Sequence, residues 1–123
     1  MAHLRRQEAE ELTFEKAGLE KLRELYRESA KHFLEVEHPL EASVSFEAAG
    51  LFEEAAGMWE DRERLDKAAP LYERAGKYRK ASETYHRDGK YTAAMKSLRT
   101  GKLYKDLVQY LETCVTLFSR FNL

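Results

Sequence analysis

Large and small apolar residues recur along the second half of the chain with a fixed beat. From Gly50 the sequence divides into five units of equal length, GLFEEAAGMWEDR, ERLDKAAPLYERA, GKYRKASETYHRD, GKYTAAMKSLRTG and KLYKDLVQYLETC, a period of 13. The third position of successive units is Phe52, Leu65, Tyr78, Tyr91 and Tyr104; the sixth is Ala55, Ala68, Ala81, Ala94 and Leu107; the tenth is Trp59, Tyr72, Tyr85, Leu98 and Leu111. Steps of three and four place these columns on one helical face, and the small residue between two large ones lets a neighbouring helix come close. Glycine at the unit boundary (Gly50, Gly76, Gly89, and Gly101 one position early) ends a helix in the left-handed conformation without a side-chain penalty. Each unit therefore predicts one short helix of about 9–10 residues and a turn. Helices of that length are marginal alone, so two successive units must pack as an antiparallel hairpin, and hairpins must stack. The expectation is an all-α fold, an α-solenoid whose handedness the pattern leaves open.

Upstream the phase shifts. Phe14-Glu-Lys-Ala-Gly18 and Phe46-Glu-Ala-Ala-Gly50 match each other and Tyr72-Glu-Arg-Ala-Gly76, but the first two are separated by six positions more than two units, so an insertion is expected between them. A first helix is predicted over 4–17 and a longer one over 19–36, carrying Leu22, Leu25, Tyr26, Ser29, Ala30, Phe33 and Leu34 at helical spacing. Pro39 suits the first turn of the next helix, predicted over 39–49. Pro70, with Asp66 as N-cap, would be the fourth residue of its helix, where the lost N–H is tolerable. The sum is about eight helices in a single domain 1–123, the short repeat helices running over 39–119.

The runs F-E-x-A-G-x-x-x-x-A-A-x-x-[WY]-E and Y-E-R-A-G-K-Y-x-K-A-x-x-x-Y-x-x-x-G-K-Y-x-x-A resemble the tetratricopeptide-like (TPR-like) helical repeats. The nearest flavour is the short-hairpin variant in the solenoids of intraflagellar-transport, coatomer and Elongator subunits and of large helicase-like proteins with TPR-type repeats. The resemblance covers about Phe14 to Leu111. It implies a scaffold for protein–protein contact rather than an enzyme. Standard units of that family run about 34 residues, and this chain's 26 departs from them, so no peptide-groove residues carry over.

Composition narrows the classes further. The 123 residues have a formal net charge of −1 with 35% charged and 43% apolar residues, which excludes a histone-like tail or an acidic solvating segment and allows one modest core. Six Phe, seven Tyr and one Trp argue for burial of rings rather than disorder. The single Cys114 excludes an internal disulfide and suits the cytosol or nucleus. The N-terminus MAHLRRQEAEEL lacks the apolar stretch of a signal peptide, and no run is long and apolar enough to cross a membrane, so an intracellular protein without membrane insertion is expected.

The chain offers little catalytic chemistry. His3, His32, His38 and His86 are scattered; His32 with Glu35 and His38 with Glu41 have a helical three-residue spacing, and exposed polar residues fit them better than metal ligands. No phosphate-cradling glycine loop occurs, and Cys114 reads as a small buried apolar residue rather than a nucleophile. No catalytic, cofactor-binding or metal residue is assigned. Tyr72, Tyr78, Tyr85, Tyr91 and Tyr104 read as core before they read as a base-stacking platform.

Charge placement says more than total charge. Residues 1–66 carry 9 basic and 17 acidic groups, a net of −8, and residues 67–123 carry 12 and 5, a net of +7. Lys77, Arg79, Lys80, Arg87, Lys90, Lys96, Arg99, Lys102 and Lys105 fall outside the core columns, which makes them candidates to meet an acidic protein segment, a second copy or, as the alternative, RNA. At the C-terminus Leu117, Phe118, Phe121 and Leu123 leave the last helix without the polar cap a solenoid needs, a candidate interface. Such an end fits a piece of a larger protein or a small self-associating one. The reading is a non-enzymatic interaction scaffold.

Overall fold

A computed structural model describes residues 2–121, with side chains over 8–117, 119 and 120. Among these residues every regular element is helical: α1 (Ala2–Glu35), α2 (Pro39–Ala48), α3 (Phe52–Asp61), α4 (Leu65–Arg74), α5 (Tyr78–Arg87), α6 (Tyr91–Thr100) and α7 (Tyr104–Phe121). The chain divides into two compact units, Met1–Leu51 and Phe52–Leu123. In the first, α2 packs on α1; in the second, α3 packs on α4, α4 on α5 and α5 on α6, while α7 meets α6 more sparsely.

The beat in the sequence is a beat in the backbone. Helices α2 to α7 begin at 39, 52, 65, 78, 91 and 104, always at an interval of 13. Positive φ recurs at the same interval, at Glu37 (62°), Gly50 (76°), Glu63 (58°), Gly76 (76°), Gly89 (76°) and Lys102 (57°). At each of these ends the next residue donates its N–H five positions back: His38 to Phe33, Leu51 to Phe46, Arg64 to Trp59, Lys77 to Tyr72, Lys90 to Tyr85 and Leu103 to Leu98, at 2.7–2.9 Å. The positive-φ residue itself donates three back, as Gly76 does to Glu73 at 2.9 Å, completing a Schellman closure that satisfies the last carbonyls of the helix. The acceptor of the longer bond is always the tenth-column residue, so one residue both anchors the core and ends its helix.

Four expectations are corrected here. Gly101 is not the left-handed stop, since its φ is −78° and Lys102 takes that role. Its space is used otherwise: a Cβ on Gly101 would lie 2.5 Å from Cβ of Tyr78, so it is the contact between the end of α6 and the start of α5 that excludes a side chain. Next, the helices predicted over 4–17 and 19–36 are one continuous α1 of 34 residues, so the described residues hold seven helices rather than eight. Gly18 lies inside it, and a lone glycine among strong helix formers costs only about 1 kcal/mol and does not stop propagation. The repeat also reaches further upstream than expected, since Tyr26, Ser29 and Phe33 followed by Pro39, Ala42 and Phe46 continue the three columns without a slip. Finally, α4 is capped at Arg64, which makes Pro70 its sixth residue; Pro70 is exposed, where water can reach the carbonyl its ring leaves unbonded.

The small column is the floor of the packing. Ala42, Ala55, Ala68, Ala81 and Ala94 are all fully buried, and Phe46, Trp59, Tyr72 and Leu98 of the tenth column are buried beside them. The third column is less so: Phe52, Leu65 and Tyr78 are half-buried, while Tyr91 and Tyr104 are exposed, so the tyrosine series is core only in part.

Left-handed φ at a residue with a Cβ costs about 1–2 kcal/mol, partly returned because glycine gives up more chain entropy on folding. Glu63→Gly and Lys102→Gly are each expected to raise stability by about 0.5–1 kcal/mol, and Gly76→Ala to lower it by a similar amount. Urea denaturation of the three variants checks this, and an unchanged midpoint for all three would refute the closure as drawn.

Candidate interaction surfaces

The nine basic residues singled out by the sequence separate into two sets. Arg79 Nη2 lies 2.9 Å from Asp106 Oδ2 and Arg87 Nη1 lies 3.1 Å from Glu60 Oε1, each pair 27 residues apart. Lys80 Nζ sits 5.1 Å from the centre of the Tyr72 ring. These three brace the second unit from outside, linking α5 to α7, α5 to α3 and α5 to α4. Lys77, Lys90, Lys96, Arg99, Lys102 and Lys105 are exposed and make no ion pair among the described residues.

A second set of contacts follows the repeat. The Tyr72 hydroxyl donates to the Glu60 carboxylate, and the Tyr85 hydroxyl donates to the Glu73 carboxylate in the same way one unit later. Tyr72 holds the Glu60 carboxyl below its ordinary range, with Arg87 adding to the effect against the opposing cost of burial. Burial first, and then the neighbouring carboxylate, push the Tyr72 phenol up. A lowered carboxyl contributes stability that is present above its unfolded pKa and is lost as pH falls through the folded value; a raised phenol contributes stability below its unfolded pKa that is lost as pH rises through the folded one. Tyr72→Phe is expected to move the Glu60 titration upward by more than Arg87→Gln does. Carboxylate NMR titrations of the two variants decide this, and the reverse order would overturn the assignment.

Between α5 and α7 runs a groove of about 610 Å³. Arg79, His86, Leu98, Tyr110, Cys114 and Leu117 are among its walls. His86 Nδ1 is 2.9 Å from the Tyr110 hydroxyl, and its ring meets Tyr91 and Tyr110 edge-on at 5.3 and 5.5 Å. Cys114 is half-buried in this wall rather than in the core. His32 Nδ1 lies 3.5 Å from Glu35 on an exposed face, and among the described residues no cluster of His, Cys, Asp or Glu could hold a metal ion. No described helix is long and apolar enough to cross a membrane.

Of the four C-terminal candidates, Leu117 is exposed at the groove; the side chains of Phe118 and Phe121, and Leu123 altogether, lie outside the described residues. Two apolar helix faces escaped the sequence reading. Every residue of α1 from 8 to 25 is exposed, including Leu12, Phe14, Leu19, Leu22 and Leu25. On α7, Tyr104, Val108, Leu111 and Val115 succeed one another at steps of four, three and four and are all exposed. The sequence did carry a sign of the second face, since Leu107 and Val108 stand where α3 has Ala55 and Ala56 and α5 has Ala81 and Ser82. No family model, curated protein or solved structure matches the chain.

Proposed function

We propose that this chain is a TPR-like solenoid segment serving as a non-enzymatic, intracellular protein–protein interaction scaffold. The observation that carries the reading is the uncovered stripe of α1, where Leu12, Leu19 and Leu22 stand in water on a helix whose later turns use the same face for packing. Contiguous apolar residues of this kind mark protein contact sites, because hydration of large aliphatic groups is relieved by a partner's apolar surface. The repeated helix closure and the buried alanine column support the solenoid, as they recur in units of equal length that would stabilise one another through neighbours.

The test compares the chain with its Leu12→Glu/Leu19→Glu/Leu22→Glu variant, both immobilised, for retention of proteins from a cell extract at physiological salt. Retention lost in the variant, with its circular dichroism unchanged, supports the reading; an identical retained set overturns it. The six exposed cations without ion pairs favour a second reading, RNA binding by the basic half. That reading requires an RNA band shift at low salt that is lost when Lys77, Lys90 and Lys102 are neutralised together, with affinity falling steeply as salt rises.

A further inference from the structure

α7 stands where α3 and α5 stand, as a first helix of a pair, and no described residue packs on it as the second. Two units earlier, the position equivalent to Val108 is Ser82, which is buried and donates its hydroxyl to the Ala94 carbonyl of α6 at 2.9 Å. Two units earlier still it is Ala56, fully buried. That direction is therefore where each such helix meets its successor, and on α7 it is open: Val108 is 53% and Val115 64% exposed, with Tyr104 and Leu111 beside them. The face is also built differently. Leu107 and Val108 replace the small pairs, Ala55 and Ala56 on α3 and Ala81 and Ser82 on α5, that let α4 and α6 approach, so another helix of the same repeat could not settle at the same distance.

We propose that this face is covered by α7 of a second copy, packed antiparallel about a twofold axis. The proposal deepens the scaffold reading by naming a partner, and it rests on a different helix from the α1 stripe. The stripe is self-complementary. A twofold between Gln109 and Tyr110 sets Val108 opposite Leu111 of the second copy and Tyr104 opposite its Val115, so large side chains meet large ones at the wider spacing they need. In an antiparallel helix pair each flank faces the same flank of the partner. Lys105 and Glu112 share one flank of the stripe, are both exposed, and make no ion pair among the described residues. The symmetry brings Lys105 of each copy to Glu112 of the other, giving two ion pairs at the rim. A twofold contact of this kind closes on itself and stops at two copies.

Sedimentation equilibrium of the full chain is expected to show a dimer that dissociates on dilution. Val108→Glu/Leu111→Glu should give a monomer with unchanged circular dichroism, and with the melting of the parent chain diluted to its monomer, since both side chains are exposed in the monomer. Lys105→Glu and Glu112→Lys should each weaken the dimer about five- to tenfold, as expected for two rim ion pairs, and the double exchange should restore it. In a Cys114→Ser background, mixing Tyr104→Cys with Val115→Cys chains should form a mixed disulfide faster than either forms its own. A monomer at every concentration overturns the proposal, as does a dimer that survives Val108→Glu/Leu111→Glu, a dimer lost instead through Leu19→Glu/Leu22→Glu, or preferential self-linking of Tyr104→Cys. A monomer that still retains extract proteins through α1 leaves the scaffold reading standing while this one falls.

Discussion

Trp59→Ala is expected to destabilise the second unit by about 3–5 kcal/mol, the range for truncating a buried large aromatic. Trp59 is 5% exposed, with Lys67 Nζ 5.0 Å from the centre of its ring. The rigid turn around Glu63 holds the backbone in place, because the Trp59 carbonyl accepts the Arg64 N–H at 2.9 Å. The hole left by the ring therefore cannot close by a small backbone shift, and the cost includes the cavity as well as the lost apolar burial. Leu111→Ala provides the control. It lies in the same column four units later but is 41% exposed in the single chain, so at concentrations where the chain is monomeric its cost should stay below about 1 kcal/mol. Urea denaturation measures both, and equal losses would show that column position, not burial, governs stability here.

Gly101→Ala is expected to cost about 1–3 kcal/mol, the usual range for overpacking a fixed contact. The new methyl would meet Cβ, Cγ and Cδ2 of Tyr78 at 2.5, 2.7 and 2.8 Å, and Cβ belongs to the backbone-anchored part of the side chain, which no rotamer change can move away. One of two adjacent helix ends must shift. Tyr78→Ala removes the ring but leaves the Cβ, so it should relieve only part of the cost; a double-mutant cycle of the two positions should give a non-zero coupling, and strict additivity would argue against the contact. Gly18→Ala is the counter-case. A Cβ there meets nothing within 4 Å, and the change should stabilise α1 by about 1 kcal/mol.

Gly18 and Gly50 show how much of the fold was legible. Phe14-Glu-Lys-Ala-Gly18 and Phe46-Glu-Ala-Ala-Gly50 are nearly the same pentapeptide, yet the first lies within a helix and the second ends one. The pentapeptides themselves cannot be told apart, because the difference lies downstream: after Gly50 a new stripe begins and packs, while after Gly18 the chain runs on through Leu-Glu-Lys-Leu-Arg-Glu-Leu, which favours one continuing helix. Glycine marked three of the left-handed ends, but Glu37, Glu63 and Lys102 take the same conformation with nothing in their identity to announce it. Only the spacing of 13 points to them. The all-helical fold and the buried alanine column were readable for the complementary reason, that periodicity in composition needs no knowledge of contacts.

The surfaces were less legible than the core. Nothing local in Arg79 or Arg87 distinguishes it from Lys77 or Lys90; what ties the first two down is a carboxylate about two units away along the chain, and such a pairing emerges only once α5 lies within reach of α3 and α7. Leu111 was read as core because its column is core elsewhere, and it is open because its neighbouring layer is absent from the described residues. A column predicts which way a side chain points; burial depends on what stands there.

The two long-range arginine pairs also have a mechanical meaning. Each spans from one helix to the next but one, like a diagonal strut, whereas the alanine columns hold only adjacent helices together. Under tension the second unit is expected to act as a short spring, its adjacent helices held by apolar contact and its alternate helices tied by ions. Salt loosens exposed ion pairs and leaves apolar packing largely intact. The spring therefore softens as ionic strength rises, while its helices keep their length.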